Sequence, residues 1–283
     1  MKRRKAVFAG SWYPDRASAC ETEIRSFLAD AGSAPGRSTG LVGGIVPHAG
    51  WYYSGKIACN VIQRLAEGPA PDVILLFGMH LHPHSANYIM AEGAWETPFG
   101  DLAIAADMAS RLTGKFPFRV ETAERFTEDN TIELQLPFVK YFFPDSRILP
   151  MGVPPNPGSL EIGRYAVEQA LELGLKVKVL GSTDLTHYGA GYGFAPRGAG
   201  KGAHEWVRLE NDRAVITAML AMDPLSVLRE AERKHNACCA GAAATAIAAG
   251  QALGAGAAEQ VAYATSYEKH PGDSFVGYVG IVF

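Results

Sequence analysis

The stretches Gly43-Gly-Ile-Val-Pro-His48 and Val73-Ile-Leu-Leu-Phe-Gly-Met-His80 are short apolar runs, and each closes on a histidine. An apolar run of about four to eight residues beside glycine or proline is typical of a strand that is buried on both faces. In an open α/β sheet, ligands and metals collect in the crevice beyond the carboxyl ends of such strands. We therefore expect His48 and His80 to face one crevice.

The rest of the chain alternates between strand patterns and helix patterns. The predicted strands are 41–46, 73–77, 147–153, 176–180, 260–265 and 275–281, with an irregular hairpin at 88–106. The predicted helices lie between Ser18 and Gly32 and at 57–65, 130–142, 160–173, 223–232 and 240–258. This alternation predicts an α/β fold with a mostly parallel, mixed sheet and helices on both of its faces. The pattern contains no linker and no repeat of fixed period, which favours a single domain over residues 1–283.

Three short segments give local signals within this pattern. Ser18-Ala-Cys-Glu21 has the spacing of a capping box, in which the hydroxyl and the carboxylate satisfy free backbone N–H groups at a helix start. Asp223-Pro224 supplies an N-cap residue followed by a proline at the first helical position. The segment Trp95-Glu-Thr-Pro-Phe-Gly100 is predicted to form the turn of the hairpin.

Composition and charge exclude several classes of protein. The 283 residues are 48% hydrophobic, and the net charge of -3 gives no basic surface for nucleic acid or for an anionic membrane. The basic run Met1-Lys-Arg-Arg-Lys5 precedes no apolar stretch long enough for a signal peptide or a bilayer span. We therefore expect a cytoplasmic protein without nucleic-acid or membrane partners. Its four cysteines, two of them adjacent, are expected to be reduced.

The adjacent pair Cys238-Cys239 opens the alanine-rich helix predicted at 240–258. The thiolate is the form of cysteine that binds metals, and the free N–H groups and dipole at a helix start lower the pKa of a thiol. Two imidazoles and one thiolate leave an open coordination position, which a catalytic metal requires. The soft sulfur admits copper or zinc as well as iron.

A second pair of functional residue types, Asp184 and His187, follows the predicted strand 176–180. A carboxylate at this place can orient an imidazole by accepting its N–H, and a histidine can move protons near neutral pH. Asp184 and His187 are therefore the candidate catalytic residues. Glu128 and Glu133 are alternative carboxylates, although a glutamate on a helix face is more often solvated.

Five motifs extend from residue 9 toward the final strands. They are Ala9-Gly-Ser-Trp-Tyr-Pro14, Pro47-His-Ala-Gly50 with Tyr53-Ser-Gly55, Trp95-Glu-Thr-Pro98, Thr131-Ile-Glu-Leu-Gln-Leu-Pro137 and Ser182-Thr-Asp-Leu-Thr-His-Tyr-Gly189. In this order they resemble the motifs of the MEMO family, whose bacterial members are called AmmeMemoRadiSam system protein B. That family is similar in fold to the class III extradiol dioxygenases, which are non-haem iron enzymes. The resemblance implies a metal site of two histidines and one cysteine, with an aspartate and another histidine beside it.

The resemblance assigns one histidine ligand to a single residue and leaves two candidates for the other. His48 matches the first ligand within an intact Pro-His-Ala-Gly motif. Where the family usually has Gly-Pro-x-His-His, this chain has Gly78-Met-His-Leu-His-Pro-His84, so the second ligand is His80 or His82. We favour His80 because it keeps a histidine directly after the strand.

The cysteine ligand also has two candidates. The preceding His235-Asn236 favours Cys239, whereas the following Ala-Gly-Ala pattern favours Cys238, which we rank first. The family often has a histidine before the Ile-Glu-Leu segment, and here that position is Asn130. One acid or base of the family site is therefore missing or replaced.

Two functions fit these residues. The first is a metal-dependent oxidoreductase of the dioxygenase-like kind, with iron as the first choice of metal, acting on a small molecule or a modified partner. The second is a non-catalytic metal- or peptide-binding adaptor that works with an AMMECR-type or radical-SAM protein, the partners that the system name implies.

Structural roles compete with these functional ones. Free cysteine is among the most buried residue types, so Cys238 or Cys239 can simply fill the core. Asp184 can cap a turn through backbone N–H groups. We expect His82 and His84 to be exposed.

Overall fold

The computed structural model describes residues 2–29 and 40–283 of the chain. The strands are β1 (Arg3–Arg4), β2 (Gly43–Val46), β3 (Val73–Gly78), β4 (Asn87–Met90), β5 (Ala94–Trp95), β6 (Leu102–Ala103), β7 (Phe118–Glu121), β8 (Arg147–Gly152), β9 (Val177–Ser182), β10 (His187–Tyr188), β11 (Glu259–Thr265) and β12 (Phe275–Val282). The α-helices are α1 (Ala17–Ala29), α2 (Lys56–Ala66), α3 (Ala106–Lys115), α4 (Asn130–Glu133), α5 (Leu136–Phe142), α6 (Pro157–Glu172), α7 (Lys201–Trp206), α8 (Asp212–Leu220), α9 (Pro224–Lys234) and α10 (Ala240–Ala252). Single π-helical segments, Trp51–Gly55 and Val207–Asn211, run directly into α2 and α8.

A nine-stranded sheet forms the centre of the molecule, in the order β10-β12-β2-β9-β3-β8-β4-β7, with β11 paired to β12. Parallel pairing joins β2, β9, β3 and β8 and also joins β4 to β7, whereas β12 is antiparallel to β2 and β4 is antiparallel to β8. Strand β9 lies between β2 and β3, so the carboxyl ends of these three strands meet at one edge. The predicted mixed sheet is confirmed, with its parallel pairing concentrated at the centre.

Helices cover both faces of this sheet. Leu75 and Phe77 of β3 pack in a cluster with residues of α3, α6, α8, α9 and α10. The alternate residues, Ile74 and Leu76, pack in a second cluster with residues of α1, α2 and α5. Because successive side chains of a strand point to opposite faces, β3 is apolar along its whole length and buried on both sides.

Helix α10 packs very closely on the centre of the sheet. Every residue from Ala240 to Gly250 is buried, and a Cβ at Gly181 of β9 would lie 2.6 Å from the carbonyl oxygen of Ala242. Only small side chains permit this approach. The contact brings the start of α10, with Cys239 as its N-cap residue, to the carboxyl end of β9.

Several local predictions are confirmed. Asp223 caps α9 by accepting a hydrogen bond from the N–H of Ser226 at 3.0 Å, with Pro224 in the first turn. In the predicted hairpin, β5 pairs with β6 through a turn in which Thr97 and Gly100 exchange backbone hydrogen bonds. The hairpin is shorter than 88–106, because β4 pairs instead with β7 and β8.

Other local predictions are wrong. Ser18 does not begin α1, because the N–H of Cys20 already donates to the carbonyl of Arg16, which places Ser18 inside the first turn. The helix predicted at 130–142 is two helices, the second of which has Pro137 in its first turn. Helix α10 ends at Ala252 rather than at residue 258, shortly before Gly254, which has a left-handed φ of 94°. The predicted helix end at Gly32 lies outside the described residues.

The basic run at the start of the chain is neutralised by acidic partners. Arg4 is buried and donates to Glu121 at 2.8 Å, and Lys2 pairs with Glu124 at 3.0 Å. Arg3 lies within ion-pair distance of Asp101. In the described part of the chain, the helices are too short or too polar to cross a bilayer.

Candidate metal centre

Four side chains that can bind a metal converge at the carboxyl edge of the central strands. They are His48 after β2, His80 after β3, and Cys238 and Cys239 before α10, and their ligand atoms all lie within 4.8 Å of one another. The two imidazole rings stand nearly perpendicular, with centroids 4.9 Å apart. The crevice that the two strand ends predict is therefore present.

A chain of hydrogen bonds orients the ring of His48. Ser182 donates its hydroxyl proton to the carbonyl of Thr131 at 2.7 Å, so the oxygen of Ser182 is free to accept from His48 Nδ1 at 3.0 Å. With Nδ1 held by Ser182, His48 presents Nε2 to Cys238 Sγ, 3.2 Å away. A second hydrogen bond of this kind is what fixes the tautomer of a metal-binding histidine. Burial would lower the pKa of His48, but Asp184 and Cys238 outweigh it and raise the pKa, so a metal that binds Nε2 takes the place of a proton.

The backbone at His48 is held as firmly as its ring. Its N–H donates to Asp184 Oδ1 at 2.7 Å, and its carbonyl accepts from Asn130 Nδ2 at 2.9 Å. Gln135 donates to the carbonyl of Pro47 at 2.9 Å. Asn130, which stands where a family histidine is often found, thus supports His48 through its backbone.

His80 reaches the site through an unusual backbone conformation. Met79 has a φ of 71°, in the left-handed region that non-glycine residues seldom adopt. The side chain of Met79 fills the space beside Gly152, where a Cβ would lie 2.2 Å from its sulfur. This turn allows a histidine directly after the strand to face His48 despite the altered spacing of the motif.

Asp129 is the partner of the His80 ring. Its Oδ2 atom lies 3.4 Å from both the backbone nitrogen and Nδ1 of His80, and Oδ1 accepts from the N–H of Thr131 at 3.0 Å. Burial would lower the pKa of His80, but hydrogen bonds with Asp129 and Cys238 outweigh it and raise the pKa to about 10. A metal that binds His80 must displace this proton.

The two thiols have opposite properties. Burial acts to raise the pKa of Cys238, yet the hydrogen bond from Cys239 and the nearby imidazoles His48 and His187 bring it well below that of an ordinary thiol. Burial and the Cys238 sulfur raise the pKa of Cys239 well above the usual value. Cys238 is therefore the thiolate and Cys239 the neutral thiol that donates to it.

Asp184 and His187 lie beside the cluster. Asp184 Oδ2 is 3.9 Å from His48 Nε2 and 4.0 Å from His187 Nε2, and burial raises the pKa of its carboxyl group. Among the described residues, the buried Nε2 atom of His187 has no hydrogen-bond partner. An unpartnered imidazole nitrogen beside a buried carboxylate is available to a ligand.

An open cleft of about 610 Å³ leads to the cluster and is lined by His48, His80, Asp184 and His187. The exposed aromatic residues Trp12, Tyr52 and Tyr53 form part of its wall. Their neighbours Tyr13 and Trp51 belong to the core instead.

A second cleft of about 510 Å³ reaches the same centre from another direction. It is lined by Cys238 and by residues of the segments 185–194 and 231–237. Tyr192, whose ring lies edge-on to that of His187 with centroids 5.0 Å apart, borders both clefts.

The remaining candidate residues lie elsewhere. His82 and His84 are exposed and interact with each other, since the N–H of His84 donates to His82 Nδ1 at 3.3 Å. Glu133 is buried, where it accepts from the N–H of Phe8 at 2.7 Å and from the Tyr13 hydroxyl at 3.1 Å. It holds the N-terminal segment, so the expectation of a solvated Glu133 is wrong, and Glu133 lines neither of the two clefts.

Two residues that touch the cluster had no role in the sequence-based site. Ser182 orients His48, and Asp129 orients His80. Asp129 could have been noticed as an N-cap residue, because it precedes Asn130-Thr-Ile-Glu133 and its side chain caps α4. The contact of Ser182 with His48 could not be predicted from a local pattern, since the two residues are more than a hundred residues apart in the chain.

The donor set suits a metal ion. His48 presents an oriented Nε2, Cys238 is a thiolate, and the His80 ring hydrogen-bonds to Asp129 and to Cys238. Imidazole and thiolate ligands are typical of zinc, copper and iron sites. The cluster thus suggests a metal ion, but these ligand types do not select one metal.

The fold and site together define a mixed α/β protein with a candidate metal centre at the carboxyl ends of its parallel strands. The sequence matches the family model described as Memo-like protein over residues 4–282. It is 32% identical to a MEMO1 family protein of Pyrococcus furiosus, over 99% of this chain and 98% of that protein. A MEMO1 family protein of Methanopyrus kandleri is also 32% identical, over 100% of this chain and 99% of the relative. The chain therefore belongs to the MEMO family.

The structure of an uncharacterized protein from Escherichia coli K12 is a more distant neighbour. It has 10% sequence identity and a TM-score of 0.49, with 86% of this chain and 99% of that chain covered. A likeness this distant says nothing about activity.

Proposed function

We propose that this protein is a metal-dependent oxidoreductase of the dioxygenase-like kind, with iron as the first choice of metal and copper or zinc as alternatives. The observation that supports this most directly is the convergence of His48, His80 and Cys238 on one point that two clefts reach, one lined by both histidines and the other by Cys238. The family's likeness to the class III extradiol dioxygenases agrees with it. A cytoplasmic location and a single domain stay predictions.

In this proposal His48 Nε2, His80 and Cys238 Sγ would hold the metal. A bound ion would supply Lewis acidity and, as iron or copper, redox chemistry. Replacing the carboxylate of the usual two-histidine iron site with a thiolate increases electron donation from the protein. Ser182 and Asp129 keep the two rings in place.

His187 and Asp184 handle protons beside this centre. His187 Nε2 has no hydrogen-bond partner among the described residues, so it can accept a proton from a substrate hydroxyl or thiol in the cleft. Asp184, at 4.0 Å from that nitrogen, stabilises the imidazolium that results. The buried position of Asp184 strengthens this effect because water does not screen it.

The first experiment measures the metal directly. Protein purified without oxygen and without chelators is analysed for metal content, together with His48→Ala and the exposed control His82→Ala. We expect wild type and His82→Ala to contain one metal ion per chain, in line with one cluster, and His48→Ala to contain little. Wild-type protein that carries no metal would contradict the proposal.

The second experiment tests turnover. Iron-loaded protein is mixed with a panel of catechol-like and thiol substrates, and oxygen uptake is recorded. We expect His187→Ala to lose turnover while it keeps its metal, since its ring moves protons and is not a ligand. If metal-loaded wild type consumes no oxygen with any substrate in the panel, the catalytic proposal fails.

The exposed aromatic wall favours a second candidate function. Trp12 is 41% exposed and Tyr52 59% exposed beside the cleft, a pattern that suits an adaptor which receives a peptide or partner protein. An AMMECR-type or radical-SAM protein is the partner class to test. In that case Tyr52→Ala weakens complex formation in a pull-down with the purified partner, whereas His187→Ala has no effect.

A further inference from the structure

The adjacent sulfurs of Cys238 and Cys239 are close enough to react with each other. Their Sγ atoms are 3.8 Å apart, while a disulfide requires about 2.05 Å. Both residues precede Ala240, the first residue of α10, so neither lies within the helix. A change in their side-chain and backbone angles therefore leaves α10 largely intact.

The two sulfurs differ in access. Cys238 is partly exposed and lines the second cleft, whereas Cys239 is 3% exposed and packs among the apolar residues beneath it. A small oxidant can reach the first sulfur, and the second is positioned behind it. This is the arrangement of an attacking thiol and a resolving thiol.

We propose that Cys238 and Cys239 form a reversible vicinal disulfide under peroxide, and that this modification releases the metal ion. The inference rests on the proposed function in one respect, namely that Cys238 Sγ is a ligand. A sulfur that is bonded to Cys239 no longer offers the thiolate that holds a metal.

The reaction proceeds in two balanced steps. In the first, Cys238 sulfur attacks one oxygen of hydrogen peroxide; the O–O bond breaks, a sulfenic acid forms, and hydroxide leaves as water after taking up a proton. In the second, Cys239 sulfur attacks Cys238 sulfur; the S–S bond forms, the S–O bond breaks, and hydroxide leaves as water with the thiol proton of Cys239. Peroxide is reduced by two electrons and the dithiol is oxidised by two.

Geometry makes the product easy to reduce. Adjacent Cα atoms across a trans peptide are about 3.8 Å apart, whereas most disulfides join Cα atoms about 4.4–6.8 Å apart. The ring that a vicinal disulfide closes is therefore strained, and strained disulfides are the readily reduced ones. An external dithiol then returns both cysteines to the thiol form.

The other two cysteines provide an internal contrast. Cys20 and Cys59 are fully buried, and Cys20 Sγ donates to the carbonyl of Pro14 at 3.0 Å. Neither one lines the clefts at the metal centre. We expect both to stay reduced in folded protein at peroxide concentrations that modify Cys238.

The test uses zinc-loaded protein, because zinc itself does not react with peroxide. Wild type, Cys239→Ala and the control Cys59→Ala are treated with hydrogen peroxide, and released zinc is measured with a chromophoric chelator. Mass spectrometry of the peptide that contains residues 238 and 239 identifies the product. For wild type and Cys59→Ala we expect one zinc released per disulfide and a peptide lighter by two hydrogens, both reversed by dithiothreitol.

Cys239→Ala separates the proposal from simple oxidation of a ligand. Without the resolving thiol, Cys238 should proceed to sulfinic acid, and dithiothreitol should restore neither the thiol nor zinc binding. Wild-type protein that also gives sulfinic acid and no disulfide overturns the proposal. If the disulfide forms but zinc stays bound, the two cysteines are still the site of oxidation, but Cys238 is not a metal ligand and the proposed release of metal is wrong.

Discussion

The ends of β2 and β3 deliver similar imidazoles to one site but hold them very differently. His48, after β2, is 2% exposed, and its ring and backbone are fixed by Ser182, Asp184 and Asn130 at 2.7–3.0 Å. His80, after β3, is 44% exposed, and its contacts with Asp129 are both 3.4 Å long.

This difference follows from the position of each strand and its neighbours. Strand β2 pairs directly with β9, in the register Val46 opposite Ser182, so the residue after β2 lies against the polar segment that follows β9. The residues after β3 instead turn through the left-handed Met79 toward the open cleft. One ligand is therefore preorganised, and the other can adjust or leave.

The largest expected effect comes from removing either histidine. We expect His48→Ala to weaken zinc binding by more than about 100-fold, beyond what the loss of an orienting residue causes. His80→Ala should weaken it less, because a preorganised ligand loses less entropy on binding. Competition with a chromophoric chelator measures both affinities, and the opposite ranking would break the comparison.

The buried carboxyl group of Asp212, close to the site, makes the free energy of unfolding depend on pH. Asp212 accepts from the N–H of Thr186 at 3.0 Å and from the Tyr263 hydroxyl at 2.8 Å, which anchors the segment that carries Asp184. Burial raises the pKa of Asp212 from 3.8 to about 6. Native protein thus keeps this proton when the unfolded chain has lost it, so stability falls as pH rises from about 4 to about 6.

Asp212→Asn removes this dependence. The shift corresponds to a loss of about 2 kcal/mol in wild type between pH 4 and pH 7. The free energy of unfolding of Asp212→Asn minus that of wild type should therefore be larger at pH 7 than at pH 4 by the same amount. Urea unfolding at the two pH values measures it, and an equal difference between the proteins at both would contradict a raised pKa for Asp212.

Ser182→Ala tests how the ring of His48 is oriented. Without the hydroxyl, Nδ1 has lost its acceptor and the tautomer with a free Nε2 is no longer favoured. We expect zinc affinity to fall by about 10–100-fold, the usual effect of losing such a partner. Ser182→Thr, which keeps a hydroxyl, is the matched control and should retain most of the affinity.

Asp129→Asn tests the looser histidine and should have the smallest effect. We expect a loss of about tenfold in zinc affinity at high pH, at the low end for an orienting residue. The wild-type affinity should continue to rise with pH toward about 10, because the raised pKa of His80 keeps a proton in competition with the metal. In the variant this rise should level off at lower pH.

The exposed His82→Ala serves as the control for this prediction. It should leave the affinity and its pH dependence unchanged, because its contacts are with His84 and Ser85 rather than with the cluster. If His82→Ala weakened binding as much as His80→Ala, the second ligand would have been assigned to the wrong histidine.

Those parts of the fold that depend on a local sequence pattern could be predicted from the sequence. The apolar runs of β2, β3 and β8 need burial on both faces, and Asp223-Pro224 marks its helix start without help from distant residues. The capping box at Ser18 was wrong because its spacing recurs wherever serine and glutamate share a helix turn. Helix α3 and the segment of α7 and α8 were not predicted.

The site was partly predictable for the same reason. Histidines directly after buried strands are visible in the sequence, since the carboxyl edge of a parallel sheet gathers such residues. The sequence favoured His80 over His82, but it did not show the left-handed turn at Met79 that brings His80 to the site. The orienting role of Ser182 depends on a contact with Thr131, which a different part of the chain supplies.

By itself, the amino-acid sequence determined the α/β fold, the family and the residue types available for a metal, since apolar periodicity and local motifs act over short stretches of chain. Only the tertiary structure decided which thiol is the thiolate, which histidine is held rigidly and which carboxylate serves each ring. Those properties arise from burial and from hydrogen bonds between distant segments, and their energies exist only once the sheet and α10 have packed together.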